Sequence, residues 1–173
     1  SILTATIGHY TVKKMEWGTA EQQEKICFVA YFHDITIPKD EWAQISSNDE
    51  LKKADMDQED KKQILNHAFN ACELLKDYEQ VPFGVDTVIL QHHGTLNGIG
   101  FATRMDNRVS PLAVIFCVVE DYVHLLMTTP PDKWDRKDVL RKLKIKYNKG
   151  NYKKVITALI DAEKDSAKEP SKS

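Results

Sequence analysis

Residues 57–78 read DQEDKKQILNHAFNACELLKDY, and this stretch decides the fold. Asp57 is a helix cap, because its carboxylate can accept a hydrogen bond from an otherwise unpaired N–H of the first turn. Apolar side chains then recur at Ile64, Ala71 and Leu74, a spacing that sets them on one face of a helix. His67 falls between them, so an imidazole stands where the pattern expects an apolar side chain. No glycine or proline interrupts the run. A helix reaching Tyr78 is predicted.

The chain on either side reads the same way. Residues 1–16 form a predicted first helix with Ile2, Ile7, Tyr10 and Met15 as apolar points, and Gly18 breaks it. Thr19 with Gln22 makes a capping box for a second helix that runs to about Asp34. Pro38 ends the following loop, and Asp40 can cap a short helix through Ile45. The stretch from Ser46 to Asp57 is polar and reads as connecting chain. Beyond the central helix, Pro82 and Gly84 mark a turn and Val85 to His93 make the next helix. Gly94, Gly98 and Gly100 make residues 94–110 a loop. Ser110-Pro111 is a helix start, a cap followed by proline in the first turn, for a helix to about Met127. Pro130 and Pro131 separate it from helices near 136–147 and 151–163. Strand-like alternation is absent. The expected fold is all-α, a bundle of about seven helices in one domain over residues 1–163. The charged segment 164–173, with Pro170 and no apolar period, is expected to be a disordered tail.

Composition narrows the function. Lys and Arg number 24 against 26 Asp and Glu, a formal charge of -2. A binder of duplex DNA or RNA shows a basic excess, and none is present. Residues 1–16 lack the pattern of a signal peptide. The longest apolar run, Pro111 to Val119, stops at Glu120 and Asp121, well short of the roughly 20 residues that span a membrane. Cys27, Cys72 and Cys117 are scattered in apolar stretches, which fits small core residues in a reducing compartment. A cytoplasmic protein without a membrane span is expected.

The informative feature is where polar residues interrupt apolar faces. Ile26, Val29 and Ala30 make a stripe that continues into His33, with Asp34 beside it. His67 lies on the face of Ile64 and Ala71. Val85, Val88 and Ile89 lead to His92, with His93 next. Val114, Cys117, Val118 and Leu125 form a stripe interrupted by Asp121. One buried histidine is usually an ordinary core residue, and a buried carboxylate without partners costs several kcal/mol. Four helices each placing an imidazole or carboxylate inside call for mutual compensation. Imidazole with carboxylate is a ligand set for first-row transition metals, and a helical bundle can gather such side chains at its centre.

The ordered set His33-Asp34, His67, His92-His93 and Asp121 resembles the HD superfamily. The doublet followed by Gly98-Ile99-Gly100-Phe101 resembles its HD-GYP branch, the cyclic di-GMP phosphodiesterases, over about residues 1–150. The resemblance implies two transition-metal ions, iron most often and manganese in some members. Asp34 would bridge them, His33 and Asp121 would complete one, and His67, His92 and His93 the other. It implies in-line attack by a metal-bridging hydroxide on cyclic di-GMP, giving linear pGpG or GMP. Members have an upstream histidine 32 or 33 residues before the HD pair, which here falls at or just before Ser1. A preceding regulatory domain is therefore expected, with a GGDEF-type or other protein as a further partner. His9 lies too late for that role and reads as a surface or structural residue.

Departures from the family pattern fall on the binding side. Its lysine after the HD pair is Ile37 here. The glutamate after the doublet is Gly94, and the aspartate of the Asp-Gly pair is Asn97. The tyrosine is Phe101 and the proline Ala102. Pro130 and Lys133 stand at the two basic positions after the last aspartate. The residues expected to touch substrate are Gly98, Gly100 and Phe101 in the loop, with Arg104 and Lys133. Lys39 and Arg108 read as surface charges near enough in sequence to substitute, and Glu120 as a surface residue or one supporting a ligand. The glycines would let the backbone approach a phosphate closely. Weakened phosphodiesterase activity follows from this pattern. The alternative is a module that keeps its metals but binds cyclic di-GMP or a protein without useful turnover.

Overall fold

The computed structural model describes residues 2–104, 106–133, 135–147, 150 and 152–166. Among them the regular structure is entirely helical: α1 (Ile2–Lys13), α2 (Ala20–Phe32), α3 (Asn48–Lys53), α4 (Gln58–Leu75), α5 (Val85–Leu90), α6 (Pro111–Thr128), α7 (Arg136–Lys146) and α8 (Tyr152–Ser166). Short 3-10 turns occupy Trp42–Gln44, where a short helix was expected, and Pro131–Lys133. α8 continues three residues into the segment expected to be a tail, and residues 167–173 of that segment lie outside the described residues.

The helix starts follow their caps. Asp57 accepts from the Asp60 N–H at 2.8 Å, and Thr19 Oγ1 from the Gln22 N–H at 3.3 Å. Ser110 Oγ accepts from the Ala113 N–H at 3.3 Å. α3 arises inside the stretch read as connecting chain. Ser47 caps it through the Glu50 N–H, and Glu50 Oε2 accepts from the Ser46 N–H at 2.8 Å. With six residues and Leu51 alone buried, α3 has no apolar period to detect. The Ser-x-x-Glu cap was the only signal it left.

The chain divides into two compact units, Ser1–Ala30 with Ile115–Ser173, and Tyr31–Val114. In the first unit α8 packs on α1 and α7. The buried face of α1 is Thr4, Ala5, Gly8, Thr11 and Val12, whereas Ile2 is 71% exposed. This differs from the face expected from Ile2, Ile7, Tyr10 and Met15. Small side chains allow close approach: a Cβ on Gly8 would sit 3.0 Å from Ile26 Cγ1. The inward Thr11 hydroxyl is satisfied by the Ile7 carbonyl one turn back, at 2.7 Å. Arg136 ties α7 to α8 through Glu163, with Nε 2.7 Å from Oε2.

The second unit is built on α4 and α5, which pack together. The buried face of α4 is Ile64, His67, Ala68, Ala71, Cys72 and Leu75, while Leu74 is exposed. Trp42, Leu51, Ile64 and Phe101 form an apolar cluster, with Ile37, Ile45, Met56 and Leu65 against it. Val85, Val88 and Ile89 are buried along α5. The loop 94–110 is clasped at its base, where Gln91 Oε1 accepts from the Ser110 N–H at 2.7 Å.

α6 has 18 residues and a mean hydropathy of 1.5, long and apolar enough by length and composition to cross a membrane. Half of it is already buried within the protein, and Glu120 and Asp121 lie along it.

Candidate metal centre

The second unit brings five of the six expected ligands together. His33 directly follows α2, His67 lies midway along α4, and His92 and His93 follow the last turn of α5. α5 ends at Leu90, earlier than the sequence suggests, so the doublet leaves the helix in a turn. That turn allows consecutive side chains to approach the same point. The His92 and His93 rings are 3.9 Å apart between centroids, and each lies about one ring-width from His67, at 5.0 and 4.9 Å.

Two imidazoles are fixed by their own helices. His67 Nδ1 donates to the Ile64 carbonyl at 2.5 Å, and His92 Nδ1 donates to the Ile89 carbonyl at 2.6 Å. A carbonyl oxygen only accepts, so both protons sit on Nδ1 and both neutral rings present Nε2 as a lone pair. Those two lone pairs face each other at 3.0 Å, and His93 Nε2 lies at 3.0 Å from His67 Nε2. Two facing lone pairs repel unless a cation sits beside them. At a metal–nitrogen distance of about 2.1 Å, cis octahedral ligands stand about 3.0 Å apart. The donor set therefore fits a transition-metal ion held by His67, His92 and His93.

Asp34 divides its oxygens between two sides. Oδ1 is 3.4 Å from His67 Nε2 and 3.9 Å from His92 Nε2, while Oδ2 is 3.1 Å from His33 Nε2. One carboxylate thus faces two groups of nitrogen donors, the arrangement a bridging ligand needs. The segment that carries it is tied down nearby, because Thr36 Oγ1 donates to the His67 carbonyl at 3.0 Å.

The electrostatics favour neutral rings at His67 and His92 beside an ionised Asp34. Burial pushes His67 below the usual imidazole range, against the pull of Asp34. His92 is pushed well below it, by burial first and then by His67 and His33. Burial alone would raise the Asp34 carboxyl, but His33, by charge and hydrogen bond, with His92 and His67, holds it well below the usual carboxylate range. Each histidine whose folded pKa lies below its ordinary 6.5 contributes stability that is complete above that value. As pH falls below it, the unfolded chain takes up protons that the folded chain refuses, and the contribution is lost at up to about 1.4 kcal/mol per pH unit for each group. The metal-free protein should therefore show a urea midpoint that declines from about pH 6.5 downward. A midpoint flat between about pH 7 and pH 5 would contradict neutral, buried imidazoles.

Compared with protein-family models, curated proteins and solved structures, the chain matches none.

The sixth expected ligand, Asp121, lies on α6 in the first unit. Its Oδ2 accepts from the Tyr147 hydroxyl and lies 2.5 Å from Lys146 Nζ. Burial raises the Tyr147 hydroxyl well above its usual range, with Asp121 adding, which keeps it a donor. Glu120 is half-buried in the same unit, and so is His9, whose ring meets Tyr10 edge-on at 5.3 Å.

The residues expected to bind substrate have varied surroundings. Phe101 is buried in the apolar cluster, with its ring 4.5 Å from that of His93. At Gly98, φ is +69°, and a Cβ would meet Leu90 Cδ1 at 2.5 Å and the Phe69 nitrogen at 3.1 Å. At Gly100, φ is +64°, and a Cβ would sit 3.2 Å from Leu65. Protein atoms occupy the space that these glycines leave, so packing already accounts for them. Arg104 is exposed. Arg108 is gripped by Asp106 through Nε at 3.0 Å and Nη2 at 2.8 Å. Lys39 lies over Trp42 at 4.4 Å, and Lys133 is exposed in the first unit. Ile37 packs on the apolar cluster. Sequence reasoning missed Gln91, the clasp of the loop, and Asn48, whose Nδ2 donates to the Phe101 carbonyl at 2.7 Å. Neither carries a charge or a period to mark it.

Proposed function

We propose that this chain is a metal-dependent phosphodiesterase of HD-GYP type acting on cyclic di-GMP, with weakened activity. The observation that carries the reading is the convergence of His67, His92 and His93 on one side of Asp34, with His33 on the other. His67, His92, His93 and Asp34 would hold one ion, iron or manganese, and Asp34 with His33 would take part in holding a second. Metal ions bound there would supply Lewis acidity and water activated at neutral pH, the chemistry that a phosphodiester with a poor leaving group requires. The chain's own contribution is positioning. The Ile64 and Ile89 carbonyls fix the tautomers of His67 and His92, so both rings offer Nε2 without first losing a proton. Asp34 stays ionised and supplies negative charge that favours the cations. The buried Phe101 ring packs against one side of His93. Arg104, exposed in the loop, is the cation assigned here to meet a phosphate, since the Arg108 guanidinium pairs with Asp106.

A second reading is a module that binds metal and cyclic di-GMP without useful turnover. Three observations favour it over full activity: Ile37 and Phe101 lie in apolar packing, Gly98 and Gly100 are filled against, and Arg108 is paired. Protein purified without chelator, then supplied with iron(II) or manganese(II), should contain transition metal and convert cyclic di-GMP to pGpG or GMP. Metal content and cyclic di-GMP binding without product would select the second reading. Protein that holds no metal would overturn both.

A further inference from the structure

The main chain beyond the histidine doublet turns back onto it. The Ala102 N–H donates to the His93 carbonyl at 3.1 Å, and the Gly100 N–H to the Leu65 carbonyl, on α4, at 2.7 Å. Between these two bonds stands Phe101, 7% exposed, with its ring 4.5 Å from His93 and 6.4 Å from His67. Its carbonyl is held from the other side by Asn48 Nδ2 at 2.7 Å. Asn48 is the first residue of α3, and Leu51 of the same helix belongs to the apolar cluster that contains Phe101. Backbone hydrogen bonds of its two neighbours, a side-chain hydrogen bond to its carbonyl and apolar contacts of its ring therefore fix Phe101, and that residue lies against a candidate ligand.

Without its ring, Phe101 would leave His93 a wider choice of rotamers, and a ligand must be held within about half an ångström of its working place to bind well. We infer that Asn48 and Phe101 are positioning residues for His93, with α3 latching the glycine loop so that the Phe101 ring holds the imidazole toward the Nε2 of His67. This inference rests on the proposed metal centre and not on turnover. It assigns α3 a role that a helix of six residues with one buried side chain does not otherwise have. Neither residue touches a reacting group, so the effect should appear in metal binding and not only in rate.

Cobalt(II) is the probe, because its visible absorption reports the number and geometry of its ligands. Asn48→Ala and Phe101→Leu should each weaken cobalt(II) binding by about 10- to 100-fold, as loss of a ligand's support does elsewhere. Their visible bands should also shift relative to the unaltered protein. Trp42→Phe, in the same apolar cluster, should lower the melting temperature and leave affinity and spectrum unchanged. Unchanged binding and spectrum in both Asn48→Ala and Phe101→Leu would overturn the inference while the metal reading stands. Equal weakening by Trp42→Phe would also overturn it, by showing general loosening of the core. No cobalt(II) binding by the unaltered protein would overturn the metal reading and this inference together.

Discussion

Replacing His67 with alanine is expected to abolish transition-metal retention and, with it, any turnover of cyclic di-GMP. His67 Nε2 is the hub of the cluster, 3.0 Å from Nε2 of both His92 and His93 and 3.4 Å from Asp34 Oδ1. Removing it deletes one donor and leaves the other two nitrogens without their common neighbour. The loss in affinity should exceed the roughly 100-fold attached to removing a mere supporting partner. A second effect runs the other way. In the metal-free protein His67 is a buried imidazole that resists protonation, and it depresses His92 as well. The alanine variant should therefore unfold less steeply with acid below about pH 6.5, even though it forfeits the bond to Ile64 and some packing. The two readouts together are diagnostic. Metal retained at the unaltered level would refute the assigned hub, and an unchanged acid limb would refute the assigned protonation state.

Why the histidines were legible and α1 was not comes down to what each buries. His33, His67 and His92 interrupt stripes of Ile, Val and Ala, and the structure buries all three with those stripes. A polar residue stands out only against a strong apolar period. α1 buries Thr4, Ala5, Gly8 and Thr11, residues with little hydrophobic signal, because close approach matters more there than apolar area. Its larger side chains drew attention to the wrong face. On α4 the choice between Leu74 and Leu75 differs by one residue, about 100° around the helix axis, and the regular helical period carried from Ile64 through Ala71 falls on Leu75. The division of Asp34's oxygens between His33 and the other imidazoles was beyond any pattern in sequence, since it depends on the side-chain torsion of one residue. The glycines of the loop were legible as a loop but not as packing. Their positive φ at 98 and 100 matches the expected turns, while Leu90, Phe69 and Leu65 fill the room they leave.

The largest stability effect should come from a residue that the sequence marked only as a helix breaker. Gly18→Ala adds a single methyl group, and that Cβ would lie 1.7 Å from the Val12 carbonyl oxygen, 2.7 Å from its carbon and 3.2 Å from the Met15 carbonyl oxygen. The obstacle is backbone, so no side-chain rotation relieves it. Val12 is near the end of α1, and its carbonyl already accepts from the Met15 N–H at 2.9 Å, while the Gly18 N–H donates to Met15 at 3.0 Å. Moving one of these groups disturbs the turn that joins α1 to α2. Gly18 is not in the left-handed region, so φ is not the reason for glycine there. Room is. Overpacking costs about 1–3 kcal/mol and sometimes more, and a clash with hydrogen-bonded backbone belongs at the top of that range. Gly84→Ala is the control. Its φ of +81° strains an alanine, but nothing lies within 4 Å of the new Cβ, so only the left-handed backbone cost of about 1–2 kcal/mol applies. Both substitutions restrict the unfolded chain alike, by about 0.4–1 kcal/mol, and that gain cancels in the comparison. Urea midpoints should therefore fall further for Gly18→Ala than for Gly84→Ala by an amount equal to at least about 1 kcal/mol. Equal midpoints would mean that the α1–α2 turn yields to the new methyl group, and that lack of room is not what holds glycine at 18.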